Sequence, residues 1–214
     1  MNNLFITLEG PEGGGKTSQA QCLAEYLRAE KLDVLLTREP GGSPIGDQIR
    51  KVITQLENTA MDAHTEFLLF SASRAQHIAE VIRPSLDDGV TVISDRFFDS
   101  SLAYQGYGQR LPLETLKAIT NFATGGLSPD LTLLLDLPVE EGLRRREADG
   151  NWNRLDAYDI DFHRRVRGGY LKLAAESPER WVVLSAEQSF ETLQEEIRRA
   201  VMTRMKAEPT DTNE

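Results

Sequence analysis

The sequence predicts an α/β protein, a five-stranded parallel sheet with helices on both faces, and three observations carry that prediction. Five short runs, at residues 4–8, 34–37, 90–94, 131–136 and 181–184, are nearly continuous in apolar residues rather than alternating, which is how strands buried on both faces read. Helical patterns separate them, over 16–30, 45–55, 62–87, 112–123, 138–149, 159–175 and 189–206. Strands that alternate with helices imply right-handed crossovers. The first run passes straight into a glycine-rich turn that opens the first helix.

That turn, Gly10-Pro11-Glu12-Gly13-Gly14-Gly15-Lys16-Thr17, fits the phosphate-binding pattern G-x-x-x-x-G-K-[ST] and gives the fold its P-loop NTPase character. A strand feeding such a turn and then a helix aims backbone N–H groups and the positive end of a helix dipole at one point. Gly10, Gly13, Gly14 and Gly15, with Lys16, Thr17 and Ser18, form the candidate phosphate cradle. Lys16 would reach the β- and γ-phosphates of a nucleoside triphosphate, and the Thr17 hydroxyl would hold Mg²⁺. A chance glycine-rich turn is the competing reading, and the strand–loop–helix context argues against it.

Length and charge bound the rest. The 214 residues suit one domain, expected over 1–206 with a short mobile lid at about 144–156 and a polar tail at 207–214. Twenty-four Lys and Arg against 34 Asp and Glu leave a formal charge of −10. This makes the chain a poor candidate for gripping nucleic-acid backbones, which demands clustered positive charge. Basic residues must instead gather where an anion binds. The single cysteine, Cys22, permits no intrachain disulfide and suits a reducing cytoplasm. No run approaches the ~18 apolar residues of a membrane span, and the first is too short for a signal peptide.

In a parallel sheet, ligands sit beyond the carboxyl ends of the strands, so the next residues in each case deserve a reading in turn. After the second strand, Arg38-Glu39-Pro40-Gly41-Gly42 is a tight turn, with Arg38 either facing the cleft or lying on the surface. The long helix over 62–87 brings Phe67, Phe70, Ser71, Arg74, Ile78 and Val81 to one face. A flat ring four residues before an arginine fork suits a planar base with a polar edge; core Phe with a snorkelling Arg is the alternative. After the third strand, Asp95 stands where a P-loop protein carries its Mg²⁺-holding acid, expected to act through water opposite Thr17. Arg96 beside it could clamp a phosphate. The fourth strand leads to Pro138 at a helix start, then to Arg144-Arg145-Arg146 and a polar segment ending at Arg154. Arginines flanking a mobile loop could close over phosphates, or simply complement a helix dipole.

Together these residues resemble the bacterial thymidylate kinases, from Phe5 to about Arg198. The most specific segment is Asp95-Arg96-Phe97-x-x-Ser100-Ser101-x-Ala103-Tyr104-Gln105. The glycine-rich loop with its acid Glu12, the 38–42 turn, and Phe70 with Arg74 stand beside it in the same order. The resemblance implies phosphoryl transfer from Mg²⁺-bound ATP to dTMP, giving dTDP and ADP, and a homodimer. It implies that Phe70 stacks on thymine, that Arg74, Gln105 and Ser101 address its polar edge, and that Tyr104 crowds the sugar's 2′ position. Arg96, with Arg38 and Ser100 nearby, would hold the 5′-phosphate, and Glu12 would sit by the 3′-hydroxyl and the metal. Arg145, Arg146 and Arg154 would be the lid's catalytic arginines, and Arg144, Ala186 and Gln188 would form the adenine side. The loop itself has no Arg or Lys among Pro11, Glu12, Gly13 and Gly14. In this the chain resembles the family members that place their transition-state arginines in the lid. Here Glu147 and Asp149 interrupt the lid's basic run, which leaves open which of Arg144, Arg145, Arg146 and Arg154 touches the transferred group. The acceptor is already an anion, because a phosphate's second pKa is ~6, so no general base is required. A kinase for another monophosphate or for a deoxynucleoside, and a nucleotide switch, remain as rivals.

Overall fold

The computed structural model describes residues 3–148, 150 and 152–207. The expected tail beyond residue 207, and Asp149 in the lid, lie outside them. Five parallel strands, β1 (Phe5–Glu9), β2 (Val34–Arg38), β3 (Thr91–Asp95), β4 (Leu131–Asp136) and β5 (Trp181–Ser185), form one sheet in the order β2-β3-β1-β4-β5. The order reverses direction beside β1, and that is where an open α/β sheet makes its binding crevice. In register, Leu8 pairs with Asp95 and Glu9 with Leu134, so the loops after β1, β3 and β4 emerge together.

Strand β4 shows why the runs read as continuous. Leu131, Leu133 and Leu135 join an apolar cluster with Leu23 and Leu27 of α1 (Lys16–Ala29) and Ile197 and Val201 of α9 (Phe190–Lys206). Leu134 points the other way, into a cluster with Phe162, Val166 and Tyr170 of α8 (Ile160–Glu176). Both faces are covered, and each fully buried Leu contributes roughly 1.5–3 kcal/mol.

Caps mark several helix starts. Ser43 Oγ accepts from Gly46 N (3.1 Å) at α2 (Pro44–Thr54), and Asp159 Oδ1 accepts from Phe162 N (2.7 Å) at α8. Helix α1 differs: its N-cap is Gly15, at φ 79°, with no capping side chain. Its first N–H groups are left for another acceptor.

One expectation needs correction. The helix over 62–87 is three pieces: α3 (Ala63–His77), a π-helical turn at Ile78–Ile82, and α4 (Arg83–Asp87) with Pro84 near its start. Proline has no N–H to donate to a continuing α-ladder. The segment after β3, to which the sequence patterns assigned no element, is helical. It forms α5 (Phe98–Ser101) and a π-helical stretch, Leu102–Gly108. Helices α6 (Leu113–Thr124) and α7 (Val139–Ala148) complete the set. Among the described residues no helix is long and apolar enough to cross a membrane.

Candidate active site

A cavity of about 950 Å³ opens at the carboxyl ends of the strands, between the glycine-rich loop, the 38–44 turn, Phe70, Asp95, Arg96 and Arg146. Gly10 (φ 139°), Gly13 (φ 71°) and Gly15 (φ 79°) hold the loop in backbone that side-chain-bearing residues rarely adopt. Gly13 also meets Gly142 of α7. A Cβ on Gly13 would press into the Gly142 backbone, and one on Gly142 into the Glu12 carbonyl.

Lys16 Nζ donates to the carbonyl of Pro11 (2.6 Å), curling over the loop. Burial, and then the Arg96 charge, bring its pKa down to about 8. The Thr17 hydroxyl donates to Asp95 Oδ2 in a short bond, so two hard oxygen donors, one from the start of α1 and one from the end of β3, stand side by side.

Arg96 organises the neighbouring wall. It takes φ 72°, a left-handed backbone that costs a side-chain-bearing residue roughly 1–2 kcal/mol and persists mainly at functional sites. Its guanidinium donates to Glu12 Oε1 (2.8 Å), Ser100 Oγ (3.1 Å), Tyr170 OH (3.0 Å) and Tyr104 OH (3.2 Å). Tyr104 donates in turn to Glu12 Oε1 (2.6 Å). Burial alone would raise the Glu12 pKa. The Arg96 and Lys16 charges outweigh it and hold the pKa at about 2. Beneath them Glu9 is fully buried and accepts from Phe97 N (2.7 Å) and Ser100 Oγ (2.5 Å). Burial and the nearby Asp99 charge push it up to about 7.

Phe70 lines the cavity, while Arg74, Ser101 and Gln105 are buried behind it. Arg74 Nε donates to Glu39 Oε2 (2.7 Å), and Nη2 donates to Ser101 Oγ (3.0 Å) and Phe97 O (3.3 Å). Gln105 Nε2 donates to Glu66 Oε1 (2.7 Å). Among the described residues, Arg74 Nη1 and Gln105 Oε1 are buried without a hydrogen-bond partner, as is Gln109 Oε1 beside them. Natural structures leave few such atoms, and each asks for an explanation.

The lid arginines part company. Arg144, largely exposed, pairs with Glu141. Arg145 pairs with Glu141 (2.7 Å) and donates to the carbonyl of buried Ala186 (3.1 Å), joining α7 to the loop after β5. Gln188 instead donates to Glu196 on α9 (2.7 Å). Arg146 faces the cavity, steadied by buried Asp156 at 3.2 Å. Arg154 turns away from the cavity. It is buried, donating to Ile53 O (2.8 Å), Tyr158 OH (3.2 Å) and, in a short bond, Glu66 Oε2. These three inward bonds hold it behind the cavity wall rather than over the loop, unlike Arg146.

Sequence reasoning missed Arg50, which lines the cavity and donates to Pro40 O (2.8 Å). It also missed Glu39, buried between Arg74 and His77 (3.1 Å), and the Glu66 cluster. Arg50 lay within a helical pattern and looked like an ordinary surface charge. Arg38, by contrast, does line the cavity, with a long 3.5 Å contact to Asp47.

A family model described as thymidylate kinase matches residues 8–197. A thymidylate kinase of Roseiflexus castenholzii is 51% identical over 208 residues, covering 91% of this chain and 91% of that protein. One from Pseudomonas putida is 48% identical over 197 residues, covering 92% and 94% respectively. The crystal structure of thymidylate kinase from Ehrlichia chaffeensis superposes with a TM-score of 0.78 at 32% identity, covering 94% of this chain and 99% of that one.

Proposed function

The chain belongs to the thymidylate kinase family, whose members phosphorylate dTMP to dTDP with ATP, and from that premise we propose how its own residues divide the work. One observation carries the reading: among the described residues, a donor at Arg74 Nη1 and an acceptor at Gln105 Oε1 are buried behind Phe70 without partners. Thymine offers an acceptor, O4, beside a donor, N3–H. Cytosine offers the reverse order and would leave both protein atoms unsatisfied. A site built to hydrogen-bond its substrate can reject a mismatched one by roughly 10⁴-fold. Phe70 supplies the stacking face.

Two polyanions must meet, and this chain's cations oppose their repulsion. Lys16 and the uncapped N-terminus of α1 take the donor phosphates. Arg96 takes the 5′-phosphate of dTMP, with Arg38 and Ser100 nearby. Glu12 and Tyr104 orient the Arg96 fork and face the deoxyribose. Arg146 neutralises charge on the transferred group. No residue is assigned as a base, since the attacking phosphate oxygen is already anionic.

Thr17 and Asp95 would hold Mg²⁺, which suits two hard oxygen donors; the ion would supply charge neutralisation at the donor phosphates. Arg145 and Ala186 support the adenine side, with Arg144 at its edge. Gln188, tied to Glu196, supports that reading less. We further read the chain as one unit over 1–206 with its lid at about 144–156, working in the cytoplasm. Paired copies would meet over α3 and α6, where Leu68 and Phe122 are 52% and 88% exposed.

The test is ADP formation from Mg²⁺-ATP with dTMP, dUMP, dCMP, dGMP, AMP and thymidine offered separately. Selectivity for dTMP is expected. Guanine presents the same acceptor–donor pair on a larger ring, so comparable turnover of dGMP would overturn the pocket assignment.

A further inference from the structure

Gln105 reads the base only if its amide faces the right way, and nothing in its own shape ensures that. Oxygen and nitrogen of a primary amide are nearly the same size, and a half-turn exchanges acceptor for donor. The orientation must come from whatever holds the far end. Here that is Glu66, fully buried at the start of α3. Its Oε1 accepts from both Gln105 Nε2 and Gln109 Nε2, each at 2.7 Å. Its Oε2 accepts from Arg154, in a short bond, and from Tyr158 OH (3.2 Å). A carboxylate can only accept, so it takes the Gln105 nitrogen and leaves the oxygen on the other side of the amide, buried and, among the described residues, met by no protein donor, as is the oxygen of Gln109.

We propose that Glu66 is the positioning residue that sets the polarity of the base-reading edge. On this account the preference for a ring with an N–H at position 3 originates one residue behind the pocket wall. The inference rests on the thymine-reading role given to Gln105 above. Arg154 takes part because it claims one carboxylate oxygen and so dictates which way a replacement side chain must lie.

That last point makes the test sharp. In Glu66→Gln, Arg154 still requires an acceptor, so the new amide turns its oxygen to Arg154 and its nitrogen to Gln105. Gln105 must then flip to accept, and presents its NH₂ to the base. The measurement is the ratio of kcat/KM for dTMP to that for dCMP in wild type, E66Q, Q105A and the double variant. E66Q should lower the ratio roughly tenfold to a hundredfold, the worth of one hydrogen bond turned from met to opposed. The change should lie in KM for dTMP, with KM for ATP unmoved. In the Q105A background E66Q should change the ratio no further. Glu66→Asp, which can still only accept, should keep the ratio.

A wild-type ratio in E66Q, or an equal drop without Gln105, would overturn the proposal. If E66Q does not fold, the paired apolar variant E66M/R154M removes the orienting acceptor without leaving a lone buried charge, and an unchanged ratio there would overturn it equally. A wild-type ratio in Q105A would instead overturn the base-reading role of Gln105. A collapsed ratio in Q105A beside a normal one in E66Q would sink only the role of Glu66.

Discussion

Replacing Arg154 with methionine should break the fold's stability before it breaks the chemistry. The side chain is 7% exposed and its partner Glu66 is fully buried. The substitution keeps much of the aliphatic stem but removes the bonds to Ile53 O, Tyr158 OH and Glu66. It leaves a carboxylate buried without its counter-charge, and breaking such a pair costs roughly 3–5 kcal/mol. For a chain of this length that corresponds to a drop in Tm of roughly 6–20 °C. Urea unfolding followed by circular dichroism would read the loss. Initial rates of ADP formation at 15 °C, where the variant is still folded, would read turnover. We expect kcat within about tenfold of wild type, since a group outside the reacting centre does not supply the large factor of a transition-state arginine. Adding Glu66→Met should recover part of the stability, because the pair together can be replaced by apolar residues at little cost. A fall in kcat of a thousandfold with stability changed by less than about 1 kcal/mol would refute this reasoning and return Arg154 to the phosphoryl site.

Arg146→Ala should show the opposite pattern, with kcat reduced ~10³-fold or more; a near-normal kcat in a single-turnover assay would shift that role to Arg145. With Lys16 at about pKa 8, kcat/KM for ATP should fall as pH rises through 8, because the free enzyme loses the charge that meets the phosphates. In kcat the fall should come at higher pH, since bound phosphates favour protonated lysine, and coincident limbs would contradict the assignment. Glu9 keeps its proton up to about pH 7 in the folded state, against 4.5 for the ordinary carboxyl. Folding therefore takes up a proton between those values, and stability from this group is lost as pH rises from 4.5 to 7, by at most about 3 kcal/mol. Urea midpoints at pH 5, 6, 7 and 8 would check the slope. A midpoint that climbs through this window, and does so equally in Glu9→Gln, would refute it.

Much of the scaffold was legible because its signals are local. Buried parallel strands leave continuous apolar runs, and the phosphate loop is contiguous, so β1, the loop and α1 could be read within a residue or two. Asp95 and Arg96 were legible because strand ends face the cleft in any sheet of this kind. The division among the lid arginines was not, because it depends on partners far along the chain: Arg154 meets Glu66 from 88 residues away. Glu66 itself was invisible for the same reason, being one acid in an acidic chain until Gln105, Gln109 and Arg154 converge on it. The π-helical stretch at Leu102–Gly108 was missed because its winding follows neither the 3.6 nor the 2.0 period on which pattern reading relies.

The meeting of Gly13 with Gly142 limits how the site can move. Two backbones touch there with no side chain between them, so α7 cannot rock at that point without carrying Glu12 along, and Glu12 holds Arg96. Any closing of the arginine-bearing segment must turn about a post beyond Gly142. Arg146 stands only four residues further on, about 6 Å along a helix. The arc it can sweep is correspondingly short, so closure over the phosphates is a matter of reseating a fork already at the rim rather than swinging a cover from a distance.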